Sequence, residues 1–330
     1  MEPLLELRQL SVTFATNYLS IPVVRGVDLQ VGQGEIIGLV GESGCGKSVT
    51  CMAAMGLLDD NVRLGGEVHW KNELVDPQND VSMSRLRGRE IAMIFQDPMS
   101  ALNPVQTIGK QLIEAIRVTA KTRLNRKTLR NKAVELLRDV GIPDPEKRLK
   151  TYPHQLSGGL SQRVMIAMML AGEPDLLIAD EPTTALDVTV QAQIMDLLRD
   201  LRDKRGMSII LVTHDLGVVA EVCDRMVVMY CGRVIETGTV QTVFNRPHHP
   251  YTSGLLASLP RVDGEDDELT PIPGVVPQPH EFGAGCDFAT RCPRVSERCY
   301  AEFPDLKSSE SKHKFACFSP FSAEYEELEV

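Results

Sequence analysis

The run Gly41-Glu42-Ser43-Gly44-Cys45-Gly46-Lys47-Ser48 constrains this chain more than any other stretch. It fits the spacing G-x-x-x-x-G-K-[ST] and follows Ile36-Ile37-Gly38-Leu39-Val40, an apolar run of strand length, with a helix expected after it. Glycines let successive backbone N–H groups turn inward as an anion nest at a helix N-terminus. Lys47 then brings a point charge to the β- and γ-phosphates of a nucleotide, and Ser48 offers its hydroxyl to Mg²⁺.

A second apolar strand, Leu176-Leu177-Ile178-Ala179, ends in Asp180-Glu181. The C-terminal tip of a buried strand is where an α/β sheet presents catalytic groups. Asp180 suits Mg²⁺ through its water shell, and Glu181 suits polarising an attacking water. Around this strand an apolar helix (Val164 to Leu170), a helix from about Val188 to Lys204 and a strand (Ser208 to Val212) alternate, which predicts a parallel sheet covered on both faces. Earlier, residues 4–14 and 23–31 alternate in polarity and predict antiparallel strands exposed on one face. Taken together, the phosphate loop and the Asp-Glu strand predict a P-loop ATPase.

Charge and cysteine usage bound the rest. With 35 basic and 45 acidic residues the chain carries a net charge of −10, which argues against a general nucleic-acid partner. The N-terminus has no basic leader and no apolar run reaches the ~18 residues of a membrane span, so the expected location is the cytosol, or a membrane reached only through partners. Locally the sign reverses: residues 110–150 hold 12 basic and 5 acidic residues, a solvated helical face or one facing an anionic membrane surface. Ala133, Val134, Leu136, Leu137 and Val140 recur there at helical spacing before Gly141 and Pro143. An exposed linker is expected at Asp263–Glu268 and Pro271–Gly274. Beyond it Cys286, Cys292, Cys299 and Cys317 crowd the tail, a pattern that in a cytosolic chain points to metal rather than disulfides, with iron–sulfur and zinc both open on spacing.

Four further segments carry a resemblance to the ATP-binding-cassette family. Leu156-Ser157-Gly158-Gly159-Leu160-Ser161-Gln162 resembles the cassette signature L-S-G-G-Q, departing from it at Leu160. Gln96-Asp97-Pro98 resembles the Q-loop, Ala185-Leu186-Asp187 the D-loop, and Thr213-His214-Asp215 the switch histidine, all in family order. The resemblance implies that Gln96 meets Mg²⁺ and the attacking water, that His214 touches the γ-phosphate, and that Ser157, Gly158 and Gly159 serve a nucleotide bound by the opposite subunit of a head-to-tail dimer. Gly41 to Ser48 would bind ATP, with Glu181, His214, Lys47 and Gln96 as the catalytic set. Phe14, with Tyr18 as competitor, is the aromatic expected on the adenine. Cys45, inside the loop, reads as a small side chain whose oxidation or alkylation would block nucleotide.

Arg246-Pro247-His248-His249-Pro250-Tyr251-Thr252 and the following Leu255-Leu256 resemble the C-terminal extension of the oligopeptide/dipeptide importer branch, some of whose members carry a 4Fe-4S cluster in that extension. The implied fold is α/β: a RecA-like P-loop core with an antiparallel β subdomain, an inserted helical subdomain and a small cysteine-containing extension. The expected divisions are 1–97 and 173–259 for the core, 98–172 for the helical subdomain and 260–330 for linker and extension. The implied function is ATP hydrolysis that powers import of dipeptides, oligopeptides or a related small polar solute. Its implied partners are a second cassette ATPase, expected to be a homologue, two transmembrane permease subunits and an external substrate-binding protein, without nucleic acid. The alternatives are a soluble cassette ATPase of DNA repair or translation, and a non-transporting regulator.

Overall fold

The computed structural model describes residues 2–15, 19–59, 61–184, 186–259, 271–308 and 313–321. Along the chain come β1 (Leu5–Ala15), β2 (Ser20–Val31), β3 (Ile36–Val40), α1 (Lys47–Ala54), β4 (Val62–Trp70), β5 (Glu73–Val75), α2 (Asp80–Leu86) and β6 (Ile91–Ile94). A helical stretch follows: α3 (Pro98–Ala101), α4 (Ile108–Thr119), α5 (Arg126–Asp139), α6 (Pro145–Arg148) and α7 (Gly158–Met169). Then β7 (Leu176–Asp180), α8 (Val188–Arg205), β8 (Ser208–Thr213), α9 (Leu216–Val222), β9 (Arg225–Tyr230), β10 (Arg233–Thr239), α10 (Val240–Asn245) and α11 (Pro250–Ala257) lead to the tail elements α12 (Glu297–Ala301), β11 (Lys307–Ser308) and β12 (Lys314–Phe315).

Two compact units result, one of Met1–Leu4, Val31–Glu35 and Asp76–Val212, the other of Leu5–Gln30, Ile36–Val75 and Thr213–Val330. In the first, β6, β7 and β8 run parallel, with Ile91 opposite Leu176 and Leu176 opposite Ser208. Every residue of the three strands is buried up to Val212, which is why they read as continuous apolar runs rather than alternating ones. The basic stretch 110–150 is helical over most of its length, spread over α4, α5 and α6, with α5 ending at Asp139 just before Gly141 and Pro143. Helix α5 starts where the Asn125 side chain accepts the Thr128 N–H at 2.9 Å and buries Leu129, Ala133, Val134, Leu136 and Leu137, while its charged residues stay outward. Lys110, Arg126, Lys127, Arg130 and Arg138 line one open groove of this unit.

The second unit contains β3 parallel to β9, then β9 antiparallel to β10 and β10 to β12. A separate sheet in the order β2-β1-β4-β5 forms from the alternating N-terminal strands, with β1 antiparallel to β4. The unit's core gathers Val40, Val219, Met226, Val228 and Tyr230 with Tyr251 and Phe288, so the C-terminal extension packs into the same core as the phosphate-loop strand. Ile272, in the segment expected to be an exposed linker, packs against that core, and Asp263–Glu268 lies outside the described residues.

Candidate functional site

The phosphate loop leaves buried β3 and ends where Gly46, at φ +99°, opens α1. Gly41 stands at φ +150°, and a Cβ there would lie 2.2 Å from the Met229 carbonyl oxygen, so no other residue fits the exit from the strand. The Lys47 side chain is buried and folds back over the loop, its Nζ donating to the Gly41 carbonyl at 2.7 Å and the Glu42 carbonyl at 3.1 Å. Ser43 and Gly44 are exposed, and Ser48 is half-buried at the first turn of the helix. Cys45 is 1% exposed and burial pushes its thiol up, so the reactive thiolate that alkylation requires is suppressed. His214 belongs to the same unit, exposed at the end of β8, and Asp215 caps α9 through the Gly217 and Val218 N–H groups. Phe14 is half-buried on β1 opposite Val62, and Tyr18 lies outside the described residues.

In the first unit, Asp180 is buried at the tip of β7 and Glu181 follows it. Glu181 sits at φ +44°, a left-handed conformation a non-glycine residue adopts at a cost of about 1 kcal/mol or more. Its N–H donates to the Val212 carbonyl at 2.9 Å, while its carboxylate accepts Gln96 Nε2 at 3.1 Å and Thr184 Oγ1 at 3.0 Å. Gln96 and Glu181 are therefore brought together, as their placement at the ends of adjacent parallel strands requires. The signature segment opens α7, where Ser157 Oγ accepts the Leu160 N–H at 3.4 Å. A Cβ at Gly159 would come within 2.6 Å of Val190 Cγ1, so the small residue lets α7 approach α8 closely. Leu186 packs against Gly158, and Asp187 caps α8 through the Val190 N–H at 2.9 Å; Ala185 lies outside the described residues.

The tail contributes two features. Cys286, Cys292, Cys299 and Cys317 line one small cavity with His249, and none of the four is in a disulfide. Burial pushes the Cys286 thiol up to about 12 and the Cys317 thiol up to about 11, and raises Cys292 as well. Among the described residues no three His, Cys, Asp or Glu side chains are gathered closely enough to hold a metal ion, so the metal site expected at the four cysteines is not preformed. Sequence reasoning missed the second feature, the contact of Arg291 and Tyr251 with Glu42 of the phosphate loop. No motif or period signals it, because the partners stand 249 and 209 positions apart.

Comparison with known proteins gives this geometry a family. The profile described as "ABC transporter" matches residues 24–184, and that of the oligopeptide/dipeptide transporter C-terminal region matches 235–299. The Bacillus subtilis oligopeptide transport ATP-binding protein AppD is 47% identical over 320 residues, 96% of this chain and 97% of its own length. This chain belongs to the ATP-binding-cassette transporter family. The Escherichia coli dipeptide transport ATP-binding protein DppD is likewise 47% identical over 96% of the chain and 97% of its own length. The Mycobacterium tuberculosis oligopeptide transport ATP-binding protein OppD is 48% identical over 318 residues, but this cassette chain spans only 52% of that relative. Among solved structures, the dimeric ATP-binding cassette MJ0796 bound to ADP and Pi matches with a TM-score of 0.64 and 28% identity, covering 72% of this chain and 98% of its own. The family fold accounts for the parallel strands, the phosphate loop and the antiparallel sheet. Among the described residues no helix is long and apolar enough to cross a membrane.

Proposed function

We propose that this chain is an ATP-hydrolysing subunit that powers import of dipeptides or oligopeptides through a membrane transporter. The observation that carries the reading is the union, in one chain, of the phosphate loop after β3 with a matched oligopeptide/dipeptide transporter C-terminal region at 235–299. In this reading Lys47 and the loop N–H groups hold the ATP phosphates, while Ser48 and Asp180 hold Mg²⁺. Glu181 orients the attacking water, with Gln96 holding its carboxylate in place and His214 reaching the γ-phosphate. Ser157, Gly158 and Gly159 open a helix N-terminus whose backbone N–H groups serve the nucleotide held by a second ATPase subunit, and Phe14 stacks on the adenine. Closure of the two ATPases on ATP and their parting after hydrolysis drive two permease subunits fed by an external binding protein, at the cytoplasmic face of the membrane. A soluble ATPase of DNA repair or translation is disfavoured by the transporter C-terminal region and by the net charge of −10.

The tail cavity is proposed as the seat of a 4Fe-4S cluster held by Cys286, Cys292, Cys299 and Cys317, supported by all four lining that one cavity, although their thiols must draw closer to bind it. Bound there, a metal centre contributes folding energy to a segment with little core of its own. Iron and acid-labile sulfide after anaerobic purification support the cluster, whereas stoichiometric zinc without either refutes it.

Purification of the tagged chain from its native cells in mild detergent, followed by mass spectrometry, tests the transport reading. Two polytopic membrane proteins and a second cassette ATPase are expected. Ribosomal or DNA-repair proteins in their place would overturn it.

A further inference from the structure

The C-terminal extension reaches the phosphate loop through one buried cation. Arg291 ends a short turn just before Cys292, and its side chain is 3% exposed. All five guanidinium N–H groups find acceptors: Nη1 donates to Glu42 Oε2 at 2.8 Å and to Tyr230 Oη at 3.2 Å, Nη2 to Glu42 Oε1 at 3.1 Å and the Ile272 carbonyl at 3.4 Å, and Nε to the Pro273 carbonyl at 2.9 Å. The rings of Tyr230 and Phe288 flank the guanidinium at 5.9 and 5.8 Å. A fork held this way has no freedom to follow a moving partner, so the partner is held instead.

That partner is the second residue of the phosphate loop. The Glu42 side chain receives both arms of the fork, its N–H donates to Tyr251 Oη at 2.8 Å, and its carbonyl accepts from Lys47 Nζ at 3.1 Å. Side chain and both main-chain groups of Glu42 are thus tied down, two of the three ties coming from residues beyond position 250. A solvated glutamate in a loop would need none of this.

We infer that Arg291, seconded by Tyr251, is a positioning residue for nucleotide binding: it fixes Glu42 and so presets the loop backbone and the Lys47 approach that meet the phosphates. The inference rests on the reading of Gly41 to Ser48 as the ATP site. ATP affinity then depends on a residue of the C-terminal extension, which never touches the nucleotide. Loss of the tie lets the loop wander, and the binding free energy must reorder it.

Equilibrium binding of Mg-ATP to the full-length chain, with steady-state hydrolysis and thermal melting, tests this on Arg291→Met, Arg291→Lys and Tyr251→Phe. Arg291→Met should weaken ATP binding at least tenfold and raise KM by the same factor, with kcat at saturating ATP within twofold. Arg291→Lys, which returns the charge without the fork, should recover only part of the loss. Tyr251→Phe, isosteric and harmless to packing, should weaken binding several-fold and decides the matter if Arg291→Met fails to fold. ATP affinity within twofold of wild type in Arg291→Lys and Tyr251→Phe, whatever the melting temperatures, would overturn the inference while leaving the ATP site standing. A wild-type chain that binds no ATP would instead remove the reading on which it rests, and the inference with it.

Discussion

Gln96 Nε2 donates to Glu181 Oε2 across 3.1 Å, joining the tips of β6 and β7, which lie side by side in parallel register. With Thr184 Oγ1 on the same oxygen at 3.0 Å and the backbone held at φ +44°, the protein itself fixes the direction of the carboxylate. Preset orientation of this kind is what water activation requires. Glu181→Gln preserves the hydrogen-bonding shape and removes the basicity. It should leave ATP affinity within twofold and lower turnover by about 100-fold or more, a loss typical of a missing general base, as read by phosphate release at saturating ATP.

Lys47 stands differently. Its ammonium is buried and held by the Gly41 and Glu42 carbonyls. In the proposed ATP site, phosphate oxygens would offer charged acceptors in place of those neutral ones, so the expected gain on binding is electrostatic. Lys47→Ala should therefore weaken ATP binding by about one to two orders of magnitude, given roughly 1.5–3 kcal/mol for a charge-assisted bond. Titration of the variant with a fluorescent ATP analogue measures this directly.

The pH dependence of stability should carry a histidine step. Burial pulls the His249 pKa from 6.5 down to about 4, and the neutral ring accepts the Tyr251 N–H at 3.0 Å through Nδ1, capping α11. As pH falls below 6.5 the unfolded chain takes a proton that the native chain refuses until about 4. Stability from this group is thus complete above 6.5 and is lost as pH falls from 6.5 to about 4, on the order of 3 kcal/mol at full extent. His249→Asn keeps a capping acceptor and removes the titration, so its denaturation midpoints should vary less across that window than those of wild type.

The cysteine cavity should matter to stability before chemistry. If Cys286, Cys292, Cys299 and Cys317 hold the proposed centre, Cys299→Ser or chelation should lower the melting temperature by several degrees, since binding free energy is folding free energy here. Differential scanning calorimetry of the holoprotein and the variant measures it. Identical melting curves would leave the cavity as thiols alone.

Much of this was legible in the sequence because local chemistry dictated it. Leu176 to Asp180 reads as a strand buried on both faces, and the glycines before Lys47 mark a loop into a helix, so β3, α1 and β7 fell where spacing put them. The signature glycines were readable as a helix start, whereas their packing against Leu186 and Val190 needed coordinates. The helical spacing of Ala133 to Val140 was readable together with its stop at Gly141 and Pro143, whereas the start of α4 at Ile108 carried no such signal. Arg291 was invisible for a different reason. A lone arginine beside a cysteine has no period and no motif, and its meaning comes from a carboxylate 249 positions earlier. Long-range pairing of single residues is the information that sequence spacing does not carry.

Uptake of a labelled dipeptide and a labelled oligopeptide in the native cells, with the gene replaced by wild type or by Glu181→Gln at equal expression, decides whether ATP hydrolysis by this chain powers peptide entry. Uptake should fall to background with Glu181→Gln and recover with wild type. Uptake at the wild-type rate for both peptides with Glu181→Gln would contradict that role.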